Sequence, residues 1–322
     1  MATLADVARR AGVSLATASR SLSGAGPASQ QTHDRVRAAA AELGYAAHPV
    51  ARMLARGTGT RIVLAMRHRD PAILADQFVS RAAAAVAGVA DAAGLGVALR
   101  RLPLDCGPAL DEIAGDRSVA ALLLAGHDRA TLGAVPARLR GRTAAIGVGG
   151  TDVDSAAGIG ALLRHLHGRG RRRIALVAGP RWLGSSRLPL GAYVAFAGEA
   201  GFPVRTVAGD FTATRGRSAG RRILREWPET DAIVAVGDAA ALGVLDALAR
   251  QGVRVPDDVA VTGFDDIPFA GLARPALTTA THPVERIAAA ATRAALDGDH
   301  GERLFPSRPV VRESCGGSAS TA

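Results

Sequence analysis

Lysine is absent from this 322-residue chain, and all 39 of its basic residues are arginine. That excludes a Walker A phosphate lysine and any lysine Schiff base. Cysteine is nearly absent too. Cys106 and Cys315 lie far apart and belong to no CxxC or Cys/His pattern, so they read as two free thiols of a reducing compartment. Aromatic residues are 3% of the chain against 48% hydrophobic residues overall, so the core must be mostly Ala, Val and Leu. Such a core favours helices packed on parallel strands over an aromatic-rich β-sandwich. No uncharged apolar run of about 20 residues occurs, and Asp6 interrupts the first hydrophobic pattern. Neither a membrane span nor a signal peptide is expected, and the chain reads as soluble and cytoplasmic.

What is present begins with charge. Residues 1–61 hold eight arginines against Asp6, Asp34 and Glu42, so half of the formal net charge of +10 sits in the first fifth of the chain. A small basic unit of this kind is an electrostatic footprint for a polyanion. Thr3 can cap a first helix, with Asp6 three residues on in a capping-box position. Leu4, Val7, Ala8 and Ala11 mark its apolar face. Gly12 supplies the positive φ of a tight turn, and Val13 can plug the joint. Ser14 then caps a second helix carrying Leu15, Ala16, Thr17, Ser19 and Arg20, with Ala18 and Leu22 facing inward. After the loop Gly24–Pro27, residues Thr32–Leu43 read as a third helix with Val36, Ala40 and Leu43 buried. The pattern is a helix-turn-helix, whose second helix can enter a major groove. A generic three-helix bundle is the bland alternative.

The residues "TLADVARRAGVSLATASRSL" and "THDRVRAAAAELGY" make the pattern specific. From Thr3 to Leu54, essentially without gaps, the chain resembles the headpiece of the LacI/GalR family of bacterial transcription repressors. The resemblance implies that Leu15 and Ala16 stand at base-reading positions, limited to contact with thymine methyls or exclusion. Arg20 is placed for a base edge, guanine being the base that Arg contacts bidentately. Thr3, Ser14, Thr17, Ser19 and Thr32 become candidates for phosphate oxygens; for each hydroxyl, a cap satisfied within the protein is the competing role. "HPVARMLA" (His48–Ala55) is similar to the family's hinge helix, with Ala51 at a close-approach position and Leu54 at the minor-groove wedge. Ala47-His48 and Ser23 depart from the family's Pro-Asn and Asn.

From Arg61 the texture becomes alternating apolar runs and helical stretches. Strands are expected at Ile62–Met66, Val97–Leu102, Ala120–Leu124, Ala144–Val148, Ile174–Ala178, Ala232–Val236 and Val259–Gly263. Helices are expected at Phe78–Ala93, Ala156–His167, Leu190–Ala200, Arg215–Glu226, Ala239–Arg250 and Pro283–Leu296. Such alternation predicts an α/β fold of two doubly wound parallel-sheet subdomains with a cleft between them. "HLHGRGRRRIALVAGP", "ALARQGVRVPDDVAVTGFDDIP" and "ARPALTT" resemble the family's periplasmic-binding-protein-like effector domain. The implied organisation is 1–46 headpiece, 47–60 hinge helix and linker, 61–313 effector-binding and dimerisation domain, and 314–322 disordered tail without a tetramer-forming leucine heptad. Phe78, Trp182, Ser185, Arg187, Asp238 and Asp265 are the candidates for the effector cleft. There the chain departs from the family: Pro189 stands where an arginine holds ligand, and Gly237 where an asparagine does. The effector is therefore expected to differ from a typical sugar in the typical pose, or small-molecule control to be lost.

"GRSAG" (Gly216–Gly220) matches G-x-S-x-G, but Ser218 sits in a helical pattern rather than on a strand-to-helix turn, so no enzyme is expected. His165 and His167 are two apart on a helix and cannot share a metal. No metal or cofactor is expected. The chain reads as a homodimeric, sequence-specific regulator of transcription, most simply a repressor, binding a pseudo-palindromic DNA operator. It would answer to a small molecule, a carbohydrate or derivative among the possibilities. A solute-binding protein and a nucleoid-type architectural protein are the competing classes.

Overall fold

The computed structural model describes residues 3–23, 29–45, 59–299 and 301–317, apart from the side chains of Arg20 and Ser23. Helix α1 (Leu4–Ala11) starts at a reciprocal capping box. The Thr3 hydroxyl accepts from the Asp6 amide at 3.3 Å, and Asp6 accepts from the Thr3 amide at 2.9 Å. Gly12, at φ 63°, ends the helix in a left-handed turn that leads straight into α2 (Leu15–Ser23). The Ser14 hydroxyl accepts from the Thr17 amide at 3.1 Å. Helix α3 (Gln30–Glu42) starts two residues before the expected Thr32, because Ser29 caps it and accepts from the Thr32 amide at 3.3 Å. The core of this unit is Val7, Ala8, Ala11, Ala18, Val36, Ala39 and Ala40. Five alanines among seven buried side chains make that core thin, so its caps carry weight. The hinge expected at 47–60, with Ala51 and Leu54, lies outside the described residues except at Gly59 and Thr60.

The rest is built on two parallel sheets. The first joins β1 (Arg61–Arg67), β2 (Gly96–Leu102), β3 (Val119–Ala125), β4 (Thr143–Ile146), β5 (Thr151–Val153) and β11 (Arg303–Phe305) in the order β11-β5-β4-β3-β1-β2. The second joins β6 (Ile174–Ala178), β7 (Thr206–Ala208), β8 (Ala232–Ala235) and β9 (Ala260–Thr262) in the order β7-β6-β8-β9. A short antiparallel pair, β10 (Thr279–Ala280) with β12 (Pro309–Val310), completes the set. Helices on both faces bury β3 along its whole length, which is why it reads as a continuous apolar run. The major helices are α4 (Gln77–Ala92), α5 (Gly107–Gly115), α6 (Ser155–Gly168), α7 (Arg187–Ala200), α8 (Ala213–Glu226), α9 (Asp238–Arg250) and α10 (Val284–Asp297).

The chain passes three times between the sheets: from β5 into α6, from β10 into α10, and from β11 to β12. Helix α10 returns to pack on α4, β3, β4 and β5, while α6 packs on α7 and β10. Each subdomain is thus assembled from two separate stretches of sequence, with the crossings side by side at the cleft. Among the described residues, no helix is long and apolar enough to cross a membrane.

Helices α8 and α9 meet unusually closely. A Cβ on Gly216 would stand 2.0 Å from the Ala240 carbonyl oxygen, and one on Gly243 would stand 2.0 Å from that of Ala213. The "GRSAG" motif is therefore a helix-packing surface. Ser218 lies mid-helix and donates back to the Thr214 carbonyl at 3.1 Å.

One expectation fails at the C-terminus. Ser314 and Cys315 are fully or almost fully buried rather than part of a disordered tail. The Ser314 hydroxyl accepts from the Thr278 amide at 2.8 Å and donates to the Val261 carbonyl at 2.6 Å. Cys315 Sγ lies 2.9 Å from Thr278 Oγ1 and 3.1 Å from His165 Nε2. Hydrogen bonds to Val261 of β9 and to Thr278, just before β10, hold this small, polar segment. Residues 318–322 lie outside the described ones.

Candidate DNA-reading face and inter-subdomain cleft

At the start of α2, Leu15 and Ala16 are both exposed, Leu15 to 53%. An outward leucine in the first turn of a helix contributes nothing to its own core. It offers an apolar tip at the point where a groove-entering helix meets base edges. The neighbouring hydroxyls already serve as caps. Ser14 Oγ and Thr17 Oγ1 lie 2.8 Å apart, Ser29 Oγ and Thr32 Oγ1 lie 2.9 Å apart, and Thr3 donates to Asp6 at 2.7 Å. The unpaired amides opening α2 are the donors that remain for a phosphate. Ser19 is half-buried, and Ser21, which sequence reasoning did not single out, is buried with no partner for its hydroxyl among the described residues. Arg10 pairs with Glu42 at 2.7 Å and ties α1 to α3.

In the cleft, Asp265 follows β9 at φ 115°, a strained backbone for a residue with a Cβ. Its Oδ1 lies 2.9 Å from Nδ1 of His282, on the crossing between β10 and α10. The His282 ring sits 5.6 Å from that of Phe78, in the first turn of α4, and 6.0 Å from that of Phe264. Asp76 caps α4, accepting from the Phe78 amide at 2.8 Å. Burial first, and the charge of Asp265 after it, raise the Asp76 carboxyl above its ordinary range. Asp76 nevertheless keeps solvent access. A carboxyl both crowded and accessible lies in a concavity. Across the cleft Trp182 meets His68 edge to face, with ring centroids 5.0 Å apart.

The predicted cleft residues separate. Phe78 and Asp265 both reach His282, Trp182 meets His68 instead, Ser185 is half-buried in the turn before α7, and Arg187 is exposed as the first residue of α7. Asp238 does not line the cleft and is a correction to expectation: it is completely buried. Its Oδ1 accepts from Thr279 Oγ1 at 2.6 Å and its Oδ2 from the Ile267 amide at 2.9 Å. Burial pushes its carboxyl up to about 8. Gly237 also has a local cause. A Cβ there would stand 3.3 Å from the Phe211 ring, so Phe211 occupies the space a larger side chain would need. Sequence reasoning missed Asp76, Phe211, His68 and His282; Phe211 lies in the polar stretch "GDFTATR" with no periodic signal at all.

Residues 3–48 match the family described as bacterial regulatory proteins, lacI family, and residues 163–315 match the periplasmic binding protein-like domain. The transcriptional regulator CelR of Thermobifida fusca is 31% identical over 332 residues, covering 96% of this chain and 95% of that protein. The chain belongs to the LacI family. Another member, the lac repressor dimer solved bound to operator and the anti-inducer ONPF, superposes with a TM-score of 0.82 at 28% identity, covering 98% of this chain and 99% of that one. The CelR–cellobiose complex superposes with a TM-score of 0.68 at 26% identity, covering 98% and 100%. These LacI-family relatives are transcriptional regulators rather than enzymes, in keeping with the packing role of the Gly216–Gly220 motif here.

Proposed function

We propose that this LacI-family chain is a transcriptional repressor that binds a pseudo-palindromic operator as a homodimer. A small molecule in the inter-subdomain cleft controls it, through sites that include Phe78, Trp182, Ser185, Arg187 and Asp265. The observation that carries the reading is the combination of an outward Leu15–Ala16 face on a capped recognition helix with a two-subdomain unit whose three crossings border one cleft. A ligand touching both subdomains binds their arrangements unequally, and that difference is what couples the cleft to the DNA-binding end. Exposed Phe269 and Leu272, at 55% and 71%, with Leu99 on the edge strand β2, offer apolar surface for the second protomer. Two recognition helices would then enter successive major grooves. Leu15, Ala16 and Arg20 would read bases, Thr3, Ser14, Thr17, Ser19 and Thr32 would hold phosphates, and Ala51 and Leu54 would enter the minor groove. The relatives solved with operator, anti-inducer and cellobiose support this reading.

Competition between a selected operator and random duplex at fixed salt tests it. A regulator prefers its operator by roughly 10³-fold or more, whereas an architectural protein binds both alike. Equal affinity would sink the proposal.

A further inference from the structure

Three chain crossings join the two subdomains, but the subdomains also meet where no chain connects them. The meeting point is the loop between β6 and α7, which belongs to the second sheet. Trp182 in that loop sets its ring edge to face against His68, at the carboxyl end of β1 in the first sheet, with centroids 5.0 Å apart and planes at 74°. Two residues on, Gly184 packs on the backbone that follows β3. A Cβ on Gly184 would stand 3.3 Å from the His127 carbonyl oxygen and 3.6 Å from the Asp128 Cα.

The first subdomain offers a fixed surface at this point. The His68 amide donates to the Leu102 carbonyl at 2.9 Å, and its ring Nδ1 accepts from the Asp70 amide at 3.0 Å. The His68 carbonyl accepts from Arg101 at 3.1 Å. Next to it the buried Arg67 donates to the Leu104 carbonyl at 3.0 Å and pairs with Asp128 at 3.5 Å. The loop from the second subdomain turns tightly on itself. The Leu183 amide donates to the Pro180 carbonyl at 3.1 Å, and the Ser186 amide to that of Leu183 at 3.2 Å. Its far end borders the candidate ligand site: Ser186 Oγ and the Phe211 ring both crowd Gly179, just beyond the carboxyl end of β6.

We propose that Trp182 and Gly184 form a latch that holds the cleft closed, and that the strength of this latch sets the balance of closed and open arrangements on which a ligand acts. The proposal rests on the cleft being the effector site. When the subdomains separate, a chain crossing can bend, whereas an aromatic pair and a backbone contact have to break. A contact of this size tunes an equilibrium without locking it, since an edge-to-face pair changes a population ratio about two- to twelvefold. The latch and the ligand site share one loop, so a ligand beside Ser185 and Ser186 meets the two arrangements unequally. Trp182, one of two tryptophans in the chain, then holds the cleft as well as lining it.

Spin labels on Arg129→Cys and Leu188→Cys, exposed positions on opposite subdomains, measure opening by double electron–electron resonance in the full-length protein; the native Cys106 and Cys315 are buried. Trp182→Ala and His68→Ala change half-buried residues outside the packed cores. With no small molecule added, each should lower the closed-to-open ratio about two- to twelvefold, and the double variant should lose little more than either alone. Trp182→Phe, which keeps an aromatic edge, should retain most of the wild-type ratio. Gly184→Ala should open the cleft by wedging against the His127 carbonyl. Operator affinity in gel shifts should follow the same order as the distances. Unchanged distances in both Trp182→Ala and Gly184→Ala overturn the latch. Fully additive losses from His68→Ala and Trp182→Ala, or a Trp182→Phe variant as open as Trp182→Ala, overturn the aromatic pair as its basis. Distances that shift while operator affinity stays constant leave the latch standing and overturn the coupling of the cleft to the DNA-binding end.

Discussion

Replacing Asp238 with asparagine should flatten the pH dependence of stability between about pH 4 and pH 8. The wild-type carboxyl is completely buried against the backbone of Gly263, where a Cβ would stand 2.1 Å from Oδ1. Burial, then the charge of Asp265, lift it from 3.8 to about 8. Between those values the folded chain holds a proton that the unfolded chain has lost. Stability from this group is therefore complete below about pH 4 and disappears as pH rises through about 8. At about 1.4 kcal/mol per pH unit, the full swing is roughly 6 kcal/mol. Asparagine imitates the protonated acid. Its oxygen can accept from the Ile267 amide, its nitrogen can donate to Thr279 Oγ1, and it does not titrate. Urea unfolding of both proteins at pH 5, 6, 7 and 8 measures the difference. Wild type should lose several kcal/mol relative to Asp238→Asn across the series. Parallel curves would show that the buried carboxyl is ionised throughout and refute the reasoning. The Asp116 carboxyl, held at about 2 chiefly by hydrogen bonds from Ser118, does not interfere. Its contribution is present above its unfolded value and is lost only as pH falls from about 4 toward 2.

Gly216→Ala should destabilise the protein by roughly 1–3 kcal/mol, because the new methyl group meets the Ala240 carbonyl, whereas Ser218→Ala should stay within about 0.5 kcal/mol; thermal unfolding ranks them. Ser14→Ala should cost about 0.5–2 kcal/mol of headpiece stability by removing the cap of α2, with an accompanying loss of operator affinity in gel shifts. Arg20→Ala should relax sequence preference at one base pair per half-site, costing roughly 1–3 kcal/mol on the selected operator. Uniform weakening on all sequences would instead make Arg20 a phosphate contact.

Legibility in the sequence followed the range of the interactions. Thr3, Gly12 and Ser14 act on partners three or four residues away, so the first two helices and their turn could be placed from local chemistry. β3 was legible because helices bury both its faces. Strands of two or three residues, such as β7, β10 and β12, carry too little pattern to be seen.

By itself, the sequence determined the helix-turn-helix, the two-subdomain α/β order and the family. It named Phe78, Trp182 and Asp265 for the cleft, but it also named Asp238, which the fold buries, and it called disordered the segment holding Ser314, which the fold covers. Only the tertiary structure decided these cases. It alone brought Phe78, Asp265 and His282 to one place and set Phe211 against the gap at Gly237. A cap is settled by neighbours on the same turn. Whether a polar side chain faces water, a ligand or the protein interior depends on what the chain lays over it from a hundred residues away.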